Sequence, residues 1–186
     1  LLTNLYFVRH AHSKYTPEEL TRPLSEKGLS DVENINQLLI KEGIDYVISS
    51  PYLRAVQTVE GVANGIEKEV IIEDAFKERQ LSSSPVKDFQ LAITKVWTEP
   101  SFCWEGGESN VVAQKRGVES TLKVLERYEG KNVVIGTHGN IMVLIMNYFD
   151  NHYGFDFWKE LSMPDIYKLT FDKTELKAVH RIWSMD

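Results

Sequence analysis

Cysteine is nearly missing from this chain: Cys103 is the only one in 186 residues, so no internal disulfide is open to it. Long apolar runs are missing too, and nothing approaches the roughly 20 consecutive apolar residues that a spanning helix needs. The apolar start Leu5 to Val8 is too short for a signal-peptide core and is cut by Arg9 and His10. Basic residues are in deficit. Lys and Arg total 21 against 27 Asp and Glu, a formal net charge of -6 with a pI near 5.4. That balance argues against a nucleic-acid or anionic-membrane surface, because phosphate backbones are bound mainly through excess Lys and Arg. The sequence also has no internal repeat, low-complexity tract or Gly/Ser-rich linker. With 42% hydrophobic residues over this length, a single domain spanning 1–186 is expected, in a reducing, cytoplasmic setting. The chain does not begin with methionine, and Leu1 to Thr3 are given no functional reading.

What is there begins with "NLYFVRHAHSKYT". An aromatic and β-branched run fit for a buried strand ends in Arg9, His10, Ala11 and His12, and burying that many titratable groups needs a reason. On residue chemistry alone four readings stand: a metal site on His-x-His, a nucleophilic histidine beside an arginine, an anion site without chemistry, or a polar strand end. The stretch "PLSEKGLSDVENINQLLIKEG" places Leu29, Val32, Ile35 and Leu39 at helical spacing and offers Gly43 as a C-terminal cap. Next, "DYVISS" reads as a strand, and after Pro51 the helix "YLRAVQTVEGVANG" carries Leu53, Val56, Val59 and Ala63 on one face. "EVII" is a short apolar run, "NVVIGTHGNIMVLIMNYF" passes from strand to apolar helix, and "DIYKLTFDKTELKAVHRIW" reads as a hairpin turning at Asp172 to Thr174.

Strands alternating with helices predict a three-layer α/β/α sandwich with a mostly parallel central sheet and ligands bound beyond the carboxyl ends of the strands. "FVRHAHS", "VISSPYLRAVQT" and "VIGTHGN" each put basic residues just past a strand, so Arg9, His10, Arg54 and His138 are candidates to converge. Guanidinium forks donate paired, charge-assisted bonds to a phosphoryl dianion. The helix starts after Ser50 and His138, Gly139 included, add backbone N–H donors.

Taken together and in order, "VRHAHS", "SSPYLRAVQT", "FKERQL", "GGESNVVAQKR" and "GTHGN" resemble the histidine phosphatase superfamily, the group with the phosphoglycerate mutase-like fold, from Leu5 to about Trp183. The resemblance implies that His10 is the nucleophile that takes the phosphoryl group, that Arg9, Arg54 and His138 bind its oxygens, and that Glu78 is the proton donor. Ser13 would add a hydrogen bond to phosphate, and Glu108 and Ser109 would open a supporting helix running through Arg116. It implies no metal and no other cofactor, and a small phosphorylated substrate as partner; oligomeric state is not readable. The expected activity is a metal-independent phosphomonoesterase acting through phosphohistidine. The alternatives are phosphoglycerate mutase-type transfer, which the short cap disfavours, and a phosphate-binding protein without turnover. The last rests on Ala11, where the family usually has glycine and a methyl would either crowd the phosphate or be tolerated.

The stretch of about 76–107 is too long for a simple connection and reads as a cap insertion. Its aromatics Phe89, Trp97, Phe102 and Trp104 either grip the organic part of a substrate or pack a short helix on the domain. Cys103 is read as a small buried hydrophobe, and His12 as a residue of the pocket rim or of the solvent face. His152 and His180 have no motif around them and are expected to be structural or exposed.

Overall fold

The computed structural model describes residues 1–184. Strand β1 (Leu2–Arg9) leads to α1 (Glu26–Ile40), β2 (Tyr46–Ser49), α2 (Leu53–Gly65) and the short β3 (Ile71–Ile72). After a 3-10 turn at Asp74–Phe76 come α3 (Phe89–Thr98), α4 (Asn110–Arg127), β4 (Asn132–Thr137), α5 (Gly139–Phe149) and α6 (Phe155–Lys159). The hairpin β5 (Asp165–Asp172) and β6 (Glu175–Arg181) closes the order.

One six-stranded sheet runs β3-β2-β4-β1-β5-β6. Its first four strands pair in parallel, while β5 and β6 are antiparallel. Strand alternation sends successive side chains to opposite faces. Leu5, Phe7, Val133 and Ile135 therefore meet the buried residues of α4 and α5, while Tyr6, Val8, Val47 and Val134 meet those of α1 and α2. The three layers predicted from the alternation of elements are the ones observed. Gly117 lets α4 lie close on α5, since a Cβ there would come within 2.7 Å of Ile145 Cγ1. Among the described residues no helix is long and apolar enough to cross a membrane.

Three expectations need correction. Helix α1 starts where Ser25 caps it, its hydroxyl accepting from Gly28 N–H, but it ends at Ile40 rather than running to Gly43. Gly43 instead takes a φ of +66° in the turn that follows. Leu29, assigned to the apolar face of that helix, is 51% exposed; the buried face is Gly28, Ile35 and Leu39. Cys103 is also exposed rather than buried. It lies between Phe102 and Trp104, whose rings pack edge to face at 5.0 Å, and the Trp104 indole donates to Ala92 O, so the aromatics take the inward positions.

Candidate active site

Sheet register fixes the strand-end side of the candidate site. Arg9 at the end of β1 pairs with Thr137 on β4, and Ser49 at the end of β2 pairs with Gly136, so the next residues, His10, Ser50 and His138, emerge together at the carboxyl edge. Helix α5 starts immediately after His138, and α2 starts three residues after Ser50. Arg9, His10, Arg54 and His138 are gathered as expected. The His10 and His138 rings lie 5.1 Å apart edge to face, Tyr52 meets His138 at 5.2 Å, and the Arg54 guanidinium lies over Tyr52 at 4.9 Å. Arg9 packs against Gly139, where a Cβ would come within 2.9 Å of its Nε. Gly139, predicted to meet substrate, thus also makes the room that Arg9 occupies.

The protonation of His10 follows from its one hydrogen bond. Its Nδ1 lies 2.7 Å from the carbonyl oxygen of Ala11, which can only accept, so Nδ1 carries the proton and Nε2 keeps its lone pair. Burial, with Arg54, Arg9 and Arg22 nearby, pushes the pKa of His10 down to about 3 against the opposing pull of the Ala11 carbonyl. The imidazole is neutral at pH 7. Ala11 itself is fully buried, and its N–H donates to Thr58 Oγ1 at 3.1 Å. It is not among the residues with positive φ, so its methyl is accommodated without backbone strain. Thr58 in turn donates to Arg54 O at 2.7 Å, tying the nucleophile loop to α2.

His138 is fully buried, and burial, then His10 and the arginines, holds its pKa well below the usual value. Its Nε2 is 2.8 Å from Ser50 Oγ, which also accepts from Tyr52 N–H. The Ser50 hydroxyl can donate to this ring nitrogen or accept from it, so the direction of the bond follows the His138 tautomer. The other ring nitrogen, Nδ1, is buried with no partner among the described residues, as is Arg9 Nε. Buried polar atoms without a partner are costly, and these two belong to residues that neighbour His10 in the chain or across the sheet edge.

Glu78 sits against the start of α5. Its Oε1 accepts from the N–H groups of Arg79 at 2.8 Å and Ile141 at 3.0 Å, and its Oε2 from Asn140 N–H at 3.1 Å. Two first-turn donors of α5, expected from sequence to serve phosphate, are therefore engaged by this carboxylate. The loop bearing Glu78 is held by Arg116, which donates to Ala75 O at 2.6 Å and Lys77 O at 3.0 Å while pairing with Glu108 at 2.8 and 2.9 Å. Arg79, itself buried, donates to Glu108 O and to Asn110 Oδ1. Ser109 caps α4 through Val112 N–H, so Glu108 and Ser109 support the site as their motif suggested.

The remaining candidates are peripheral. Ser13 is half-buried in a short bridge to Leu24, and its hydroxyl has no partner among the described residues. His12 is exposed and bonded to Ser25 Oγ at 2.7 Å, and His152 and His180 are exposed. Trp97, from the cap stretch, reaches the site's edge by donating to Asn140 Oδ1 at 3.0 Å, whereas Phe89 is 49% exposed. Sequence reasoning missed Ser50, Tyr52, Thr58 and Arg116. Thr58 alone had a local signal, lying one helical turn after Arg54.

Two histidines and two arginines are thus gathered at the carboxyl edge of the sheet of an α/β/α sandwich, three from strand ends and Arg54 from the first turn of α2. The chain belongs to the histidine phosphatase superfamily (branch 1), whose sequence profile matches residues 5–182. Comparison with curated protein sequences finds no match. Among solved structures, YhfR of Bacillus stearothermophilus superposes with a TM-score of 0.79 at 23% identity, covering 94% of each chain. A mycobacterial glucosyl-3-phosphoglycerate phosphatase gives 0.78 at 16% identity over 98% of this chain and 99% of that one. Phosphoserine phosphatase of Entamoeba histolytica in complex with 3-phosphoglyceric acid gives 0.79 at 17% identity over 98% of each. At these identities the likeness is one of fold.

Proposed function

We propose that the chain is a metal-independent phosphomonoesterase acting on a small phosphorylated metabolite through a phosphohistidine on His10, with residues 1–186 as one catalytic unit and about 76–107 as its cap. The observation that carries this reading is the tautomer of His10: Nδ1–H bonded to Ala11 O leaves Nε2 with a free lone pair, while Arg9 Nε and His138 Nδ1 are buried without partners among the described residues. Named activities of the fold neighbours, glucosyl-3-phosphoglycerate and phosphoserine phosphatase, support it in kind.

The steps balance without an external co-reactant. His10 Nε2 attacks phosphorus as the ester P–O bond breaks, and Arg9, Arg54 and His138 hold the equatorial oxygens. A protonated Glu78 gives its proton to the leaving alkoxide, which would otherwise depart poorly. Its Oε2, with a single N–H contact, is the oxygen less committed to the helix start. Water then attacks the phosphohistidine, its proton passes to Glu78, the P–N bond breaks, and inorganic phosphate leaves with His10 neutral again. Ala11 is buried and not at a positive φ, so its methyl strains no backbone at this turn, which supports turnover over binding alone.

The test is phosphate release from an activated aryl phosphate in the presence of chelator, for the intact protein and for His10→Ala. Release that survives chelator and disappears in the mutant is expected. Release that persists in folded His10→Ala protein, or that chelator abolishes, would overturn the reading.

A further inference from the structure

The loop between the nucleophile and α1 is charged and largely exposed, yet it clasps the phosphoryl side of the site. Leu20 O accepts from Leu53 N–H at 2.9 Å, and Leu24 N–H donates to Gln57 Oε1 at 2.8 Å, so the loop lies along the first turns of α2. Just before these ties stands Glu19. Its backbone carbonyl accepts from Arg54 Nη1 at 2.9 Å and its carboxylate Oε2 from Arg54 Nη2 at 2.7 Å. Oε1 lies 3.4 Å from Arg22 Nη2, whose guanidinium is fixed on Thr16 O. The Arg54 side chain is 5% exposed while that of Glu19 is 55% exposed.

We propose that Glu19 is a positioning residue for the phosphoryl site, holding Arg54 by two oxygens of one residue so that its other donors face the anion. Arginine has five N–H donors. Glu19 engages two, and three remain for phosphate. A guanidinium on a long, rotatable stem is only as useful as its orientation, and a fork gripped at two nitrogens loses that freedom before the ligand arrives. The grip depends on acceptor oxygens, not on net charge: a carboxylate this exposed interacts through water, where its repulsion of a bound dianion is screened. The inference rests on the phosphoryl-binding role given to Arg54, and its test does not require turnover.

The experiment measures the affinity of the intact protein for inorganic phosphate, by calorimetry and by phosphate-dependent thermal stabilisation, for the wild type, Glu19→Ala and Glu19→Gln. Glu19→Ala should bind phosphate about fivefold more weakly. Glu19→Gln, which keeps an acceptor oxygen, should stay within about twofold of the wild type. Unliganded melting temperatures should be unchanged in both, which separates positioning from a purely structural role. Phosphate binding in Glu19→Ala equal to or tighter than the wild type would overturn the proposal and mark the carboxylate as a competitor of the anion. So would a wild type that binds no phosphate. A wild type that binds phosphate but hydrolyses nothing would count against the hydrolase reading alone, and the Glu19 comparison would still be decided by affinity.

Discussion

The two sides of the site are built by different means. The phosphoryl side, Arg9, His10, Ser50 and His138, stands on the ends of paired strands, where register alone sets the spacing. The leaving-group side, Glu78, stands on an irregular stretch between the 3-10 turn and α3 and is placed by charged side chains, Arg116 and Arg79, bonded to backbone carbonyls. A sheet edge is rigid through cooperative packing. A stapled loop depends on a few individual bonds, so one substitution can loosen it while leaving the core intact. That arrangement suits a division of labour in which the transferred group is constant and the leaving group varies.

Substitutions can break this comparison at either end. The largest effect is expected from Arg9→Ala, which removes an orphaned donor from the phosphoryl side and should cost about 10²- to 10³-fold in kcat for every monoester tried. His12→Ala, bonded only to Ser25, should change kcat little. Equal losses in steady-state assays of the two would return His12 to the site. Glu78→Gln should cost about 10²-fold with an alkyl monoester and little with an activated aryl one, whose leaving oxygen needs no proton. The same loss on both substrates would mean that Glu78 only shapes the pocket.

Arg116→Ala sharpens the contrast. Releasing Ala75 O and Lys77 O should cost about tenfold with alkyl monoesters and leave aryl phosphates nearly untouched, as a misplaced acid would. A smaller effect concerns stability. His10 is held neutral in the fold with a pKa near 3, whereas the unfolded chain takes up a proton near 6.5. Below pH 6.5 the unfolded state binds more protons, so stability falls as pH drops from 6.5 toward 3. His10→Gln should recover on the order of 1–2 kcal/mol at pH 5 relative to the wild type in denaturant titrations. An unchanged difference between pH 7 and pH 5 would show that His10 titrates normally.

Much of the phosphoryl side was legible in the sequence because its signals are local: a β-branched run, a basic pair, a helix start. Period and punctuation were enough to place Arg9, His10, Arg54 and His138 past strand ends. Partners from distant segments were not legible. The Ser50 hydroxyl on His138 and the Thr58 hydroxyl beneath Ala11 look like ordinary polar residues until the sheet brings them together. Glu19 reads as a solvated charge in "TPEELT", and only the fold shows which guanidinium it holds. On the leaving-group side Glu78 was found through its motif, but its bonds to the start of α5 were not, because a helix N-terminus serves a side-chain carboxylate as readily as a phosphate. Cys103 was misread because composition favours burial of a free thiol, while its aromatic neighbours took the inward positions.

The central claim is a covalent bond between His10 Nε2 and phosphorus. It is tested most directly by mixing the protein with an aryl phosphate, quenching in alkali and mapping the modified peptide by mass spectrometry. The account predicts an alkali-stable, acid-labile phosphoryl group on the peptide that contains His10. A protein that hydrolyses the ester yet carries no such group at any quench time, or carries it elsewhere, would contradict it.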